Sequence, residues 1–554
     1  MSNLHFTEQN SLCEKLHKVK KQKSNLKFLL LAIFLIALQN SYSQLPPKNK
    51  VSKKSDAREL IVDFTKEKGS FNRMPLECIG AGRANEGLRA DWQQQLAYVK
   101  KSCDFKYIRM HGLLSDDMAV YKEDRNGNPE YNFQYIDALY DYLLSIGIKP
   151  FVELGFMPSA LASGSKTIFW WRGNVTPPKD YNKWGDLMRN LTLHFTQRYG
   201  TDEVKSWYFE VWNEPNLDGF WAGTQDEYFK LYTYAVKAIK SVNNEYKVGG
   251  PATAGAAWVP EMISFCKENS LPLDFISTHA YGVKQGFLDE FGNSGTVLSK
   301  DPMSVSGDVL NSRKQISQSA MPGLELHYTE WSSSYTPSDP MHDSYHQAAY
   351  ILDRVKKVGT AATSMSYWVF TDIFEEAGPR FTHFHGGFGL LNTQGINKPA
   401  FYSFKFINKL GNTELVNKDS CSWVCKDAKG NMQILLWDFT NTHPGDSVNN
   451  QVYYVRDLPA KSKGKVKVAV SNVPEGDYVL ELYKVGYRTN DTYTTYLDMG
   501  KPNQLTKQQV EQIKKLNDGS PVSKEIVKVK AGVTFTKEMD LRENDVYLLN
   551  LVKL

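Results

Sequence analysis

The chain has 554 residues, is 41% hydrophobic and carries a formal charge of +5. That length suits a large barrel plus an accessory domain, and that composition excludes a disordered chain. Residues 1–43 hold six lysines against Glu8 and Glu14, so the remainder carries only about +1, and a nucleic-acid partner is excluded as the reason for the charge.

The N-terminus reads as an export signal. Lys15, Lys18, Lys20, Lys21, Lys23 and Lys27 precede the apolar run FLLLAIFLIAL at 28–38, and Ser41-Tyr42-Ser43 supplies small residues for cleavage near Ser43. Eleven residues are too few for a comfortable membrane span. The expectation is a cleaved signal over 1–43, a periplasmic or secreted product and no stable membrane insertion; a retained anchor is the alternative. Past the signal, Cys78, Cys103, Cys266, Cys421 and Cys425 are odd in number and scattered. No disulfide framework is expected, although Cys421 and Cys425 are near enough in sequence to suggest a local pair. No metal-ligand spacing stands out and no cofactor is expected.

Residues 44–79 form an N-terminal segment, whose stretch RELIVDFTKEKG (58–69) adds a strand to a later β-domain. From 80 to 410, short apolar runs alternate with amphipathic segments. An initial strand lies around LECIGAG, and FKYIRMHG (105–112) is the second. The helical pattern YNFQYIDALYDYLLSIG follows, then the strand IKPFVELGF (148–156). Next come the helix YNKWGDLMRNLTLHFTQRYG, the strand VKSWYFEVWNEP and the helix DEYFKLYTYAVKAIKSV. KVGGPATAG precedes the helix VPEMISFCKEN. LDFISTHAYG is a strand with a polar excursion to about 308, followed by LELHYTEWSSS, the helix SYHQAAYILDRVKKVG, SMSYWVFTDIF and a last helix at KPAFYSFKFINKLG. Eight β-α units in series predict an α/β fold, a closed (β/α)8 TIM barrel. The rival open doubly wound sheet lacks its usual Gly-rich phosphate loop. From 411 to 554 the texture changes to short strands separated by turns, among them MQILLWDF, VYYVRDL, KVKVAVSNV, DYVLELYKV, GVTFTKEMDL and DVYLLNLVKL. These predict an antiparallel β-sandwich.

A barrel places chemistry at the C-terminal ends of its strands, and polar residues accumulate there. Arg109 and His111 end the second strand, Asn213 and Glu214 the fourth, His279 and Tyr281 the sixth, Glu330 and Trp331 the seventh. Trp368 sits on the eighth, followed by Asp372, Glu375 and Glu376. Each has an ordinary structural explanation alone; their recurrence at one end of successive strands is the signal. Glu214 and Glu330, opposed across a barrel mouth, fit an acid and a nucleophile acting on a glycosidic bond, which needs one carboxyl protonated and one ionised. Arg109 would help keep the nucleophile ionised, and Asn213 can donate to a sugar hydroxyl.

With these motifs in place, the sequence resembles glycoside hydrolase family 39, the β-xylosidases and α-L-iduronidases. FEVWNEPN, DFISTHAYG, YTEWSSSY, IRMHGLLSDDM and TDIFEE with FHGGFGLLN carry the resemblance over nearly the whole of the chain past the signal. It implies an oligosaccharide or polysaccharide substrate and a retaining, exo-acting β-xylosidase. By the resemblance, Glu214 is the general acid/base and Glu330 the nucleophile. His111, Asn213, His279, Tyr281, Trp368, Glu375 and Glu376 are substrate-binding, with Arg109 in support. The alternatives are a uronide-specific glycosidase of the α-L-iduronidase kind and a non-catalytic carbohydrate-binding protein. Arg380, Phe381 and His383 stand just before FHGGFGL, where small residues or proline are expected, and Arg380 is the candidate cation for a uronate.

Overall fold

The computed structural model describes residues 58–288, 294–445 and 449–554; the signal-like segment lies outside them. Eight parallel strands close into a barrel in chain order: β1 Cys78–Arg83, β2 Tyr107–His111, β3 Lys149–Leu154, β4 Tyr208–Val211, β5 Lys247–Thr253, β6 Phe275–Tyr281, β7 Glu325–Ser332 and β8 Ser364–Tyr367. The Tyr367–Ile79 pairing joins β8 to β1 and closes the circle. The strands are apolar runs because helices cover the outside and side chains fill the inside; all four residues of β4 are buried.

The helices start where the side chains tell them to. Asp180 accepts from the backbone of Asn182 and Lys183 to cap Tyr181–Tyr199. Thr224 and Glu227 form a reciprocal capping box on Gln225–Val242. Pro399 opens the last helix of the barrel, Pro399–Lys409, where its missing N–H costs nothing.

The N-terminal end of the barrel is plugged by rings. Phe151 stacks on Tyr208 at 4.9 Å, and His327 lies 4.6 Å from Tyr208. Nearer the other end, the inward positions turn polar: Arg109, Glu153 and Glu210 are buried there together with Ser277 and Thr329. The buried guanidinium and its carboxylates thus lie toward the end at which the loops meet.

Outside the barrel, a seven-stranded sheet runs from Glu67–Ser70 through Thr413–Leu415, Ser422–Lys426, Met432–Trp437, Val546–Lys553 and Gly476–Val485 to Ser523–Val529. A three-stranded sheet joins Arg58–Asp63, Ser462–Ser471 and Phe535–Arg542. Leu60, Val62, Val466 and Val468 from one sheet pack with Ile434, Leu436, Tyr478 and Leu480 from the other. The stretch 58–69 therefore supplies two strands, one to each sheet, and Arg58–Asp63 pairs parallel with Ser462–Ser471 rather than antiparallel.

Two further expectations differ from the structure. VYYVRDL is not a strand: Asn450–Val455 is a 3-10 helix. Its run of β-formers is overridden by packing, because Tyr454 packs edge-on against His346 at 5.1 Å and the Asn450 amide exchanges two hydrogen bonds with the Leu298 backbone. Cys421 and Cys425 are both free. Cys425 lies in the extended strand Ser422–Lys426, and four residues of strand span about 13 Å, twice the reach of a disulfide.

Candidate active site

The site grows from one buried guanidinium. Arg109, on β2, donates Nε to Glu210 at 2.7 Å, Nη1 to Glu330 at 2.6 Å and Nη2 to Asn213 at 2.8 Å, and Nη2 lies 2.9 Å from Glu153. It therefore ties β3, β4 and β7 and the turn after β4 to one cation. Burial alone would lower its pKa, but the carboxylates around it raise it instead. Glu153 and Glu210 were not singled out from the sequence. The available signal was a glutamate inside an apolar strand, at FVEL and at YFEV, since a buried charge demands a partner.

Asn213 and Glu214 follow β4 on a strained turn. Trp212 has φ +72° and Glu214 φ +44°, a region that non-glycine residues occupy rarely and that collects at functional sites. The Glu214 N–H is anchored to the Ala252 carbonyl at 2.8 Å. Asn213 spends its oxygen on Arg109 and leaves Nδ2 buried without a partner, a donor aimed at something outside the protein.

Glu330 receives two donors, Arg109 on Oε1 and the Tyr281 hydroxyl on Oε2 at 2.7 Å. Glu214 is placed differently. Burial pushes its carboxyl up to about 7. Its partner is His279 Nδ1 at 2.9 Å, and the ring's tautomer follows from the bonds behind it. Thr329 donates its single hydroxyl proton to Glu210 at 2.7 Å, so it must accept from His279 Nε2 at 3.1 Å. Nδ1 is then an acceptor, and the Glu214 O–H donates to it. Burial holds both His279 and His111 down at about 4 and therefore neutral. Burial likewise raises Glu153 to about 8, against the pull of Arg109, and its Oε2 lies 2.6 Å from His111 Nδ1.

These groups wall a pocket of about 570 Å³ at the C-terminal end of the barrel, within the range of small-ligand sites. His111, Asn213, Tyr281, Trp368 and Glu376 line it with the two glutamates. Trp368 sits one residue beyond β8 and packs on His111 at 4.8 Å between ring centres. His279 lies behind Glu214 rather than in the wall. Phe220, Tyr335, Phe388 and Asp308, which sequence reading left out, also line the wall; nothing short of the fold brings their loops together. Phe388 is presented by the glycines of HGGFG. A Cβ on Gly387 would stand 2.3 Å from Asp372 Oδ1, and Asp372 in turn binds the Gly389 N–H and the buried Lys398. Asp372 is thus a scaffold residue.

Two sequence candidates stand elsewhere. Glu375 is not in the pocket wall: its carboxylate is held by Arg83 at 3.0 Å and Arg89 at 2.8 Å, which corrects the substrate-binding role expected for it. Its neighbour Glu376 has the opposite fate; burial, with Glu330, Glu86 and Glu214 nearby, raises its pKa well above the carboxylate range. Arg380 is likewise outside the pocket wall. His383 bonds Thr393 and Gln504.

One oxygen each from Glu214 and Glu330 and a His279 nitrogen lie within 4.8 Å of one another. A cation could meet the same three atoms, but Arg109 already supplies a full positive charge on Glu330 and His279 Nδ1 is committed to Glu214. The donor set fits a carboxyl pair with unequal proton affinities better than a metal centre.

Residues 59–534 match the profile of glycosyl hydrolases family 39. A β-xylosidase of Caldicellulosiruptor saccharolyticus is 39% identical over 465 residues, 83% of this chain and 91% of that one. A β-xylosidase of Geobacillus stearothermophilus is 43% identical over 388 residues, 68% of this chain and 76% of that one. The crystal structure of a monomeric β-xylosidase from Caulobacter crescentus superposes with a TM-score of 0.86 at 42% identity, covering 90% of this chain and all of the other.

Proposed function

The chain belongs to glycosyl hydrolase family 39 and is an O-glycosyl hydrolase, and from that premise we propose that it is a retaining exo-β-xylosidase with Glu330 as nucleophile and Glu214 as acid/base. The observation that carries the mechanism is that one oxygen of Glu214 and one of Glu330 lie within 4.8 Å of each other. Retaining glycosidases hold theirs about 5–5.5 Å apart, whereas inverting ones leave about 6.5–9.5 Å for a water. Glu330, with both oxygens hydrogen-bonded, attacks the anomeric carbon and forms a glycosyl ester. Glu214, whose raised carboxyl keeps its proton in about half of the molecules at pH 7, gives that proton to the departing oxygen, then takes one from the water that releases xylose. Asn213 Nδ2 is placed to donate to a sugar hydroxyl as the charge develops, and Trp368 and Phe388 offer apolar faces to the ring.

The xylose reading over a uronide rests on the same wall. Among the described residues lining the pocket there is no lysine or arginine, and a uronate carboxylate needs a cation in reach. Glu376, which the wall keeps uncharged, suits a hydroxyl. Initial rates on aryl β-D-xyloside and aryl α-L-iduronide test this: a uronide preference would overturn the assignment. The lysine-rich and apolar segments of 1–43 support export to the periplasm or medium, and the N-terminal residue of the exported protein tests that.

A further inference from the structure

Arg380 has no ion-pair or hydrogen-bond partner among the described residues, although it is half-buried and follows the pocket wall by only four positions. The carboxylates whose fields reach it are Glu376 and Asp372. Neither neutralises it. Glu376 is kept in its uncharged form by burial and by the acids around it, and Asp372 is taken by Lys398 at 3.0 Å and by the Gly389 N–H at 2.7 Å. A guanidinium left uncompensated beside a cleft is an anion site in waiting, since its planar fork suits a carboxylate or a sulfate.

Arg380 and Trp170 both stand outside the wall of the sugar pocket. Glu376 lines the pocket, and its carbonyl accepts from the Trp170 N–H at 2.7 Å. The Trp170 ring packs against Gly378, where a Cβ would stand 3.2 Å from it, and yet 58% of Trp170 remains exposed. Next to Arg380, Phe381 is 90% exposed, and its carbonyl is fixed by the Gln504 amide at 3.0 Å. The loop between Glu376 and His383 is therefore braced on both sides, with an open aromatic face and an unpaired cation on it.

We propose that Arg380 and Trp170 form an acceptor-side subsite that selects substrates whose leaving sugar carries an anionic substituent, a uronic acid or a sulfate ester. The proposal rests on the xylosidase reading and narrows its substrate class. Arg380 is a specificity residue here: it pairs with the substituent while Glu330 and Glu214 act on the bond beyond it.

The test compares kcat/KM for three substrates: xylobiose, xylobiose bearing a 2-linked glucuronate on its reducing-end xylose, and xylobiose bearing a sulfate ester there. A fourth, with the glucuronate reduced to glucose, controls for size. Wild type is expected to favour a charged substrate over the size control about 10-fold, the larger ratio identifying carboxylate or sulfate as the natural substituent. Arg380→Ala should bring that ratio to about one, and Arg380→Lys should keep part of it. Raising the salt concentration should shrink the ratio in wild type alone. If xylobiose is hydrolysed but wild type shows no charge preference, or Arg380→Ala retains it, the inference is wrong and the xylosidase reading stands. If xylobiose is not hydrolysed, both fall.

Discussion

The proton on Glu214 sets the alkaline limit of the enzyme. With its carboxyl at about 7, half of the molecules carry the catalytic proton at pH 7 and about one tenth at pH 8. At the ordinary value of 4.5, only about 0.3% would carry it at pH 7, so burial raises the competent fraction by roughly 150-fold, worth about 3 kcal/mol. For a raised carboxyl the sign is fixed: activity is full below the folded pKa and falls tenfold per pH unit above it. The assay is kcat/KM from pH 5 to 9 for xylobiose, whose leaving group must be protonated, and for 2,4-dinitrophenyl β-xyloside, whose leaving group needs little help. Wild type should show an alkaline limb near pH 7 on xylobiose. Glu214→Gln should lose about 10²–10⁴-fold on xylobiose, form the glycosyl-enzyme readily from the dinitrophenyl substrate, and show no limb near pH 7 in that step. An alkaline limb that persists unaltered in Glu214→Gln would refute the assignment of this proton.

Tyr281→Phe removes one donor from Glu330, and a hydrogen bond to a charged group is worth about 1.5–3 kcal/mol; kcat/KM should fall about 10- to 100-fold with the melting temperature little changed. Thr329→Val cuts the chain that orients His279 without reaching the pocket wall; the alkaline limb should move while the KM for xyloside changes little, and an unmoved limb would show that Thr329 serves packing alone. Arg109→Met leaves Glu153, Glu210 and Glu330 without their shared cation; unfolding in urea should show a loss of about 3–5 kcal/mol, along with collapse of activity.

The barrel was legible because its signal is repeated eight times: an apolar run, a turn and an amphipathic helix, with polar residues at the same end of each strand. The two glutamates and His111, Asn213, Tyr281 and Trp368 could be named from that regularity, since each lies at or just past a strand end, and Glu376 from the loop that follows the eighth strand. What stayed hidden depended on direction. Glu375 and Glu376 are adjacent and chemically identical, yet one turns to Arg83 and Arg89 and the other lines the pocket; only the backbone of the loop decides. Glu153 and Glu210 lay in mid-strand, each a single charge in an otherwise apolar run. VYYVRDL has strand-like residues whose fate was set by His346 and Leu298, more than a hundred positions away. The helices Thr492–Asp498 and Lys507–Leu516 escaped notice within a run of strands. Tyr493, Tyr496 and Ile513 from that stretch pack with Phe384 and Ile396 of the loop after β8, a partnership set by distant segments.

The central claim is that Glu330 becomes covalently bonded to the sugar. Incubation with a 2-deoxy-2-fluoro-β-xyloside carrying a dinitrophenolate leaving group should accumulate the ester, because the fluorine slows both steps while the good leaving group restores the rate of formation alone. Peptide mass spectrometry is then expected to find one fluoroxylosyl unit on the peptide containing Glu330, with the label absent from Glu330→Gln. A label on another carboxylate, or inactivation of neither protein together with release of α-xylose from a β-xyloside, would contradict the account.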